Sequence, residues 1–279
     1  MVLSCLGKLL ALPDAPDKVW LVDNAPDDST ARQVREQFPS VEVINAGGNR
    51  GFAGGNNLGM QAAMDAGFPF ILLLNDDAEL TPGSLARLYE AINADKTVGS
   101  IGPVVYYGDG KEIWSAGGSI NKHTGLVGHV LAPPADSRIY FVDYVTACAV
   151  LYRANVLKKV GLFDERFFMY YEDSDLGVRL ADAGYRNVID KHAVALHYVP
   201  CDLTMRMKSP GFLYYLNRNR ILFMRKHNPL KTITDALVFR GLLELGIQLG
   251  KGNWSGFWAG IKGLWDGLKG KGGRMEGTA

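Results

Sequence analysis

The sequence predicts an α/β protein: a mostly parallel sheet with flanking helices, then a small β-hairpin region, then a C-terminal helical tail. Three observations point there. Short apolar runs alternate with helix-length amphipathic stretches through the first third of the chain. Two of those runs end in carboxylates, at Asp23 and at Asp76–Asp77. From Ile113 to Arg153 the pattern breaks into short alternating runs separated by Gly, Asn and Pro.

The elements follow in order. The opening MVLSCLGKLLAL reads as a helix, because Lys8 interrupts an apolar run too short for a signal segment. Lys18–Val22 is a buried strand with a polar end. Ser29 or Thr30 caps a helix through Phe38, and 41–45 is a second strand. A Gly/Asn-rich loop over 47–57 leads into a helix stopped by Gly67. Phe70–Leu74 is a third apolar strand. Thr81 and Pro82 open a helix to Ala94, and 98–105 is the next strand. Ile139–Tyr152 is the longest run of the hairpin region. A short helix over 154–159 stops at Gly161. Asp173 or Ser174 caps a helix to Ala183, followed by two strands, 185–189 and 193–198. Pro210 opens a long helix to Lys226, and the tail from Leu230 is helical.

At 279 residues and 47% hydrophobic, the chain can bury a large core. The net charge of +1 gives no global pull toward nucleic acid, so any charged ligand must meet a local patch. Cys5, Cys148 and Cys201 are odd in number and lack metal-ligand spacing, which reads as reduced cytosolic thiols. No run approaches the ~18 apolar residues of a spanning helix.

Sheets of this kind bind ligands beyond the carboxyl ends of their strands. LLLNDD, ending in Asn75, Asp76 and Asp77, therefore offers oxygens to a divalent cation that keeps open positions for phosphate, or is simply a polar loop. Asp23 and Asn24 reach the same edge, where Asp23 either accepts from a nucleobase N–H or forms an Asx turn. In NRGFAGGNN, residues 49–57, glycines let a backbone approach a ligand and the helix start suits phosphate; a ligand-free glycine turn is the alternative. FFMYYEDSD places Glu172, Asp173 and Asp175 behind five bulky residues. Burial can raise such a carboxyl toward a working base, although the helix dipole alone accounts for one or two of the acids. His197 closes an apolar strand, as a structural histidine or a metal ligand.

Taken together and in this order, VDNAPDDS, NRGFAGGNN, LLLNDDAEL, VGLFDERFFMYYEDSDLGVRL, ALHYV and YYLNRNRILFMRKH resemble the family 2 glycosyltransferases, most of all a bacterial rhamnosyltransferase-like branch. The resemblance covers residues 18 to 228. It implies a GT-A, Rossmann-like fold over residues 1–228 with 229–279 as an appended tail, a divalent metal (Mg²⁺ or Mn²⁺), a nucleotide-sugar donor and an inverting mechanism. Asp23 would contact the base, with Asn24, Asn49, Gly51, Asn56, Asn75 and Asp76 beside the nucleotide. Asp77 and His197 would hold the metal. Asp173 matches the general base, Glu172 would help place the acceptor, and Asp175 and Arg179 would brace the site. The acceptor would be a glycan or lipid-linked glycan, at the cytoplasmic face of the membrane. Family members open on a strand that precedes the helix at which this sequence starts, so either the start is misassigned or the sheet lacks one central strand. Where the family has Gly-Ala, this chain has Thr146-Ala147-Cys148-Ala149.

In the tail, Trp254, Trp258, Ile261 and Trp265 recur at helical spacing among lysines. Such a helix suits an anionic membrane surface, or packs on the domain. Its four glycines each cost about 1 kcal/mol of helix propensity, so docking is expected to sustain it. Two other functions compete. A nucleotidyltransferase would carry a basic Gly-rich loop after its first strand. A catalytically silent nucleotide-sugar binder would release no nucleotide diphosphate.

Overall fold

The computed structural model describes residues 1–25, 27–199, 209–228, 241 and 245–276. The chain begins with α1 (Val2–Leu10), β1 (Trp20–Asp23), α2 (Ser29–Gln37) and β2 (Glu42–Asn45). Next come α3 (Gly51–Asp65), β3 (Phe70–Leu74), β4 (Ala78–Leu80), α4 (Ser84–Ala94) and β5 (Val98–Tyr107). The hairpin region supplies β6 (Ile113–Ser115), β7 (Gly118–Asn121), β8 (Leu126–His129), β9 (Ile139–Val142) and β10 (Ala149–Arg153). Then follow α5 (Ala154–Val160), α6 (Glu172–Asp182), β11 (Arg186–His197), α7 (Pro210–His227) and α8 (Trp254–Leu268).

A seven-stranded sheet runs β3-β10-β5-β11-β4, with β6 on β5 and β9 on β11. It is mixed where a mostly parallel sheet is expected. Among its pairs only β5–β11 is parallel, and β10 inserts antiparallel between β3 and β5. An unbroken apolar run reports burial on both faces, which β10 shows at all five positions, but carries no strand direction. One face packs Met60, Met64, Leu157, Leu176 and Leu180. The other packs Leu88 and Ile92 of α4. The two strands expected at 185–198 form one strand, β11, bulged between Asp190 and Val194. Conversely, the run expected over 139–152 divides into β9 and β10.

β1 and β2 form a separate parallel ribbon. Among the described residues no strand lies between β1 and β3. Their facing edges bound a cavity of about 950 Å³, closed by Cys5 and Leu9 of α1 and by Gly59 and Ala63 of α3.

Three local readings need correction. Helix α3 starts at Gly51, so the glycine-rich segment is mostly helix rather than loop. The N-terminus of α4 is capped by Asp14, which accepts from Gly83 N (3.1 Å) and Ala86 N (2.8 Å), not by Thr81. A carboxylate 69 residues away satisfies the orphan N–H groups, which no local pattern encodes. Helix α6 starts at Glu172, with Tyr171 rather than Asp173 or Ser174 at the cap.

Helix α8 packs along α7 through Leu264 on Ile221, with Leu245, Phe257 and Ile261 beside them. Its glycines allow the approach: a Cβ on Gly263 would collide with the Tyr214 carbonyl. The opposite face leaves Trp254, Trp258, Trp265 and Leu268 exposed, the tryptophans by 59–63%. These four positions fall within ~80° of arc at ~100° per residue. No helix among the described residues is long and apolar enough to cross a membrane. Cys5 and Cys148 are buried free thiols, the first pushed up to about 11 by burial; Cys201 lies outside the described residues.

Candidate active site

The strand ends converge as their sequence suggests. Asp23 closes β1 and is 6% exposed. One carboxylate oxygen accepts from Ala25 N (3.1 Å), while Oδ2 is buried without a partner. Such an orphaned acceptor suits an incoming N–H donor. Asp23, Asn24, Asn56, Asn75, Asp76 and Asp77 all line the one cavity.

Asn49 and Gly51 are not among its lining residues. Asn49 Oδ1 accepts from Gly51 N (2.9 Å), and Asn24 brackets the same turn, accepting from Arg50 N (2.8 Å) and donating to Gly51 O (2.9 Å). Gly51 sits at φ +73°, where a Cβ would strike Phe168. Its small size serves contact with the segment leading to Glu172, and the turn fixes where α3 begins. Asn56 donates to Phe52 O (2.9 Å) within α3.

At the end of β3, Asn75 N donates to Cys148 O (2.9 Å). Burial, then the charge of Asp77, raises the pKa of Asp76. Asp77 Oδ1 lies 3.0 Å from His197 Nε2, because β4 pairs with the end of β11 and sets His197 opposite Ala78. His197 is 3% exposed and its Nδ1 has no partner. Two neighbouring ligands at about 2.1 Å from one ion lie about 3.0 Å apart, so this pair fits two positions of a divalent cation. No group of three or more His, Cys, Asp or Glu side chains converges among the described residues. The remaining positions of such an ion would fall to phosphate and water.

The acidic end is built on strain. Phe168, Tyr170 and Tyr171 have φ of 63°, 67° and 74°, a region that bulky side chains rarely occupy. Two fully buried side chains of α7 hold this segment. Asn219 Nδ2 donates to the carbonyls of Phe167 (3.0 Å), Met169 (2.7 Å) and Tyr170 (2.8 Å). Arg218 donates to Arg166 O (3.0 Å) and Phe167 O (2.7 Å). The clamp sets Glu172 and Asp173 at the start of α6.

Asp173 accepts from Ala147 N (3.3 Å), Ser174 N (2.7 Å) and Ser174 Oγ (3.2 Å). Burial raises its pKa, opposed by these hydrogen bonds and by His129. Glu172 lies well above the ordinary carboxyl range, from burial first and the Asp173 charge second, and its Oε2 has no partner. The two poles of the site are one residue apart along the chain: Ala147 contacts Asp173, and Cys148 contacts Asn75.

Glu172, Asp173 and His197 are not among the cavity-lining residues, and neither is Asp175, which is fully buried. Burial opposes its charge, yet His227 (2.7 Å), Arg179 (2.8 Å) and Lys226 (2.7 Å) hold its pKa below the usual value. Arg179 also donates to Val160, Gly161 and Leu162 carbonyls. The pair ties α6 to α7 and to the loop after α5.

Sequence reasoning overlooked Trp114 and His129. The Trp114 ring meets both His197 (centroids 4.4 Å apart, 82°) and His129 (4.3 Å, 69°) edge to face. Both stand in the hairpin region, where no spacing marks them. Asn219 and Arg218 fell within a quoted motif but received no role.

The profile of the family described as Glycosyl transferase family 2 matches residues 1–160. Among curated proteins, the N-acetylglucosaminyl-diphospho-decaprenol L-rhamnosyltransferase of Mycobacterium tuberculosis is 30% identical over 219 residues, covering 69% of this chain and 70% of its own. Rhamnosyltransferase WbbL of Escherichia coli is 25% identical, covering 82% of this chain and 94% of its own. GalNAc-T7, solved with UDP, GalNAc and Mn²⁺, aligns at TM-score 0.61 and 13% identity, covering 95% of this chain and 54% of its own. S. aureus TarS in complex with UDP-GlcNAc aligns at 0.59 and 15% identity, covering 97% and 77%. These neighbours share the GT-A fold. The split sheet with carboxylates at its ligand edge, the family profile over more than half the chain and the rhamnosyltransferase relative agree, and the chain belongs to glycosyl transferase family 2.

Proposed function

We propose that the protein is an inverting, metal-dependent transferase that moves a sugar from a nucleotide diphosphate to the hydroxyl of a lipid-linked or cell-surface glycan precursor. dTDP-rhamnose is the first candidate donor, with UDP-hexoses next; the names of the curated relatives support rhamnose. The observation that carries the reading is the joining of two poles through Ala147–Cys148, Asp77–His197 on one side and Glu172–Asp173 on the other.

Asp23, with its unpartnered oxygen, receives the base, and the nucleotide runs along the cavity past Asn24, Asn56 and Asn75. A divalent cation held by Asp77 and His197 would neutralise charge on the departing diphosphate. Asp173 ionises before Glu172, because Ala147 N and Ser174 stabilise its charge. Glu172 keeps its proton and donates a hydrogen bond that places the acceptor. Asp173 takes the proton of the attacking hydroxyl. The new C–O bond forms as the bond to the diphosphate breaks on the opposite face, which inverts the anomeric carbon. Asn49 and Gly51 act by holding the Asn24 turn, and Asp175 and Arg179 by holding α6. The exposed tryptophan stripe of α8 supports contact with a membrane surface, where a lipid-linked acceptor resides, on its cytoplasmic side.

Thermal-shift screening of nucleotide sugars with Mn²⁺ or Mg²⁺, followed by release of nucleotide diphosphate, tests the reading. Asp173→Asn should lower transfer at least ~100-fold with donor binding nearly unchanged; normal turnover by that variant removes the base assignment. The gap between β1 and β3 favours a second reading, a binder without turnover. A donor that stabilises the protein but is never consumed, with any acceptor, decides for it.

A further inference from the structure

The chain that leaves α8 turns back onto the strained segment before α6. Gly273 N donates to Arg166 O (2.8 Å), and Arg218 donates both to that same carbonyl (3.0 Å) and to Gly273 O. Both lone pairs of Arg166 O are thereby used, one by the tail and one by α7. Arg218 Nε donates to Asn219 Oδ1 (2.9 Å), which fixes the amide so that its Nδ2 faces the carbonyls of Phe167, Met169 and Tyr170. A second path runs through rings. Met275 N donates to the Tyr215 hydroxyl (2.9 Å), and the Tyr215 ring stacks on Phe168 (centroids 5.4 Å apart, 17°). Phe168 O in turn accepts from Ala53 N (3.2 Å) at the start of α3. The fit at the tail is close: a Cβ on Gly272 would stand 2.9 Å from Arg166 Cα.

We infer that residues 272–275 are a positioning element for the catalytic acids, acting through Arg218, Asn219 and Phe168 on the placement of Glu172 and Asp173. This rests on the transferase reading and adds to it a stretch of chain that lines no part of the cavity. The physical ground is the strain. Phe168, Tyr170 and Tyr171 hold a left-handed backbone that bulky side chains leave unless surrounding contacts over-determine it. Helix α7 supplies the amide and guanidinium donors, and the Gly273 carbonyl fixes the far end of the guanidinium. Glu172 directly follows Tyr171, so relaxation of these three residues turns the start of α6 and carries Asp173 away from Ala147 N. The tail is thus the outer layer of the clamp rather than an appendage to the transferase domain.

Arg218 is fully buried, so the test perturbs the half-buried tail in the full chain. Gly272→Ala pushes the tail off Arg166 by collision. Gly273→Ala, at φ +84° in open space, strains the same turn without a clash. Tyr215→Phe removes the hydroxyl that accepts from Met275 and keeps the stack on Phe168. Transfer from the best donor of the screen to octyl N-acetyl-β-glucosaminide is measured beside donor affinity. Amide hydrogen exchange is followed at Phe167, Phe168 and Met169, whose N–H groups are bonded in the folded chain. In Gly272→Ala, kcat should fall ~10–100-fold, as for a catalytic group displaced by ~1 Å, with donor Kd within about twofold. The three amides should exchange ~10-fold faster. Gly273→Ala and Tyr215→Phe should move the same quantities in the same direction, by less. A loss of kcat with the three amides unaltered, or faster exchange with kcat kept, overturns the positioning role. So does a donor affinity that falls in step with kcat. The transferase reading survives each of these results. Absence of turnover by the unaltered protein with every donor overturns both.

Discussion

Glu172 and Asp173 show what a single residue costs and does. Both carboxyls have raised pKa values because burial disfavours their charge. The folded state thus holds protons that the unfolded chain releases at the ordinary carboxyl pKa. Stability is greatest below that value and falls as pH rises toward the raised folded values. Glu172→Gln should therefore raise Tm, by ~2–4 °C for each kcal/mol relieved, and by more at pH 8 than at pH 5. An unchanged difference between the two pH values would remove burial as the cause. Transfer rate should rise with pH on the acid limb, because Asp173 must lose its proton first. The sequence suggested acids behind aromatics and a burial-raised base. It gave no sign of the strained φ values at Phe168, Tyr170 and Tyr171, or that Asn219 holds three of the carbonyls around them. Those depend on α7 arriving from about fifty residues away.

At the scale of elements, α8 answers a question the sequence left open between packing and membrane contact. Glycines 256, 260, 263 and 267 lower helix propensity, yet they form the face that meets α7. What local propensity loses, close helix contact returns through Leu264, Ile221 and Leu245. Gly263→Ala, which improves an isolated helix, should destabilise this protein by about 1–3 kcal/mol through collision with the Tyr214 carbonyl. Chemical denaturation measures it; a more stable variant would mean that α8 does not pack this closely. The pattern of β3, β5 and α6 was readable because one segment carries it. Strand direction was not, and β10 entered the centre of the sheet antiparallel.

Across the whole molecule, packing along α7 turns the tryptophans of α8 outward as one stripe, with the Lys269 ammonium 4.6 Å over the Trp265 ring. Replacing Trp254, Trp258 and Trp265 by Ser should reduce binding to vesicles containing anionic lipid at least ~10-fold, since each loses an exposed apolar surface. Tm should stay nearly unchanged. Equal vesicle binding by the triple variant would direct the search to another face.

Residue order alone determined the alternation of elements, the carboxylates at strand ends and the family, because these are written within single segments of a few residues. Tertiary structure decided the rest: the Asp77–His197 pair, the edge-to-face contacts of Trp114 with His129 and His197, the Asp14 cap and the split between β1 and β3. Each of these joins groups 15 or more residues apart, and only the folded chain sets their distances.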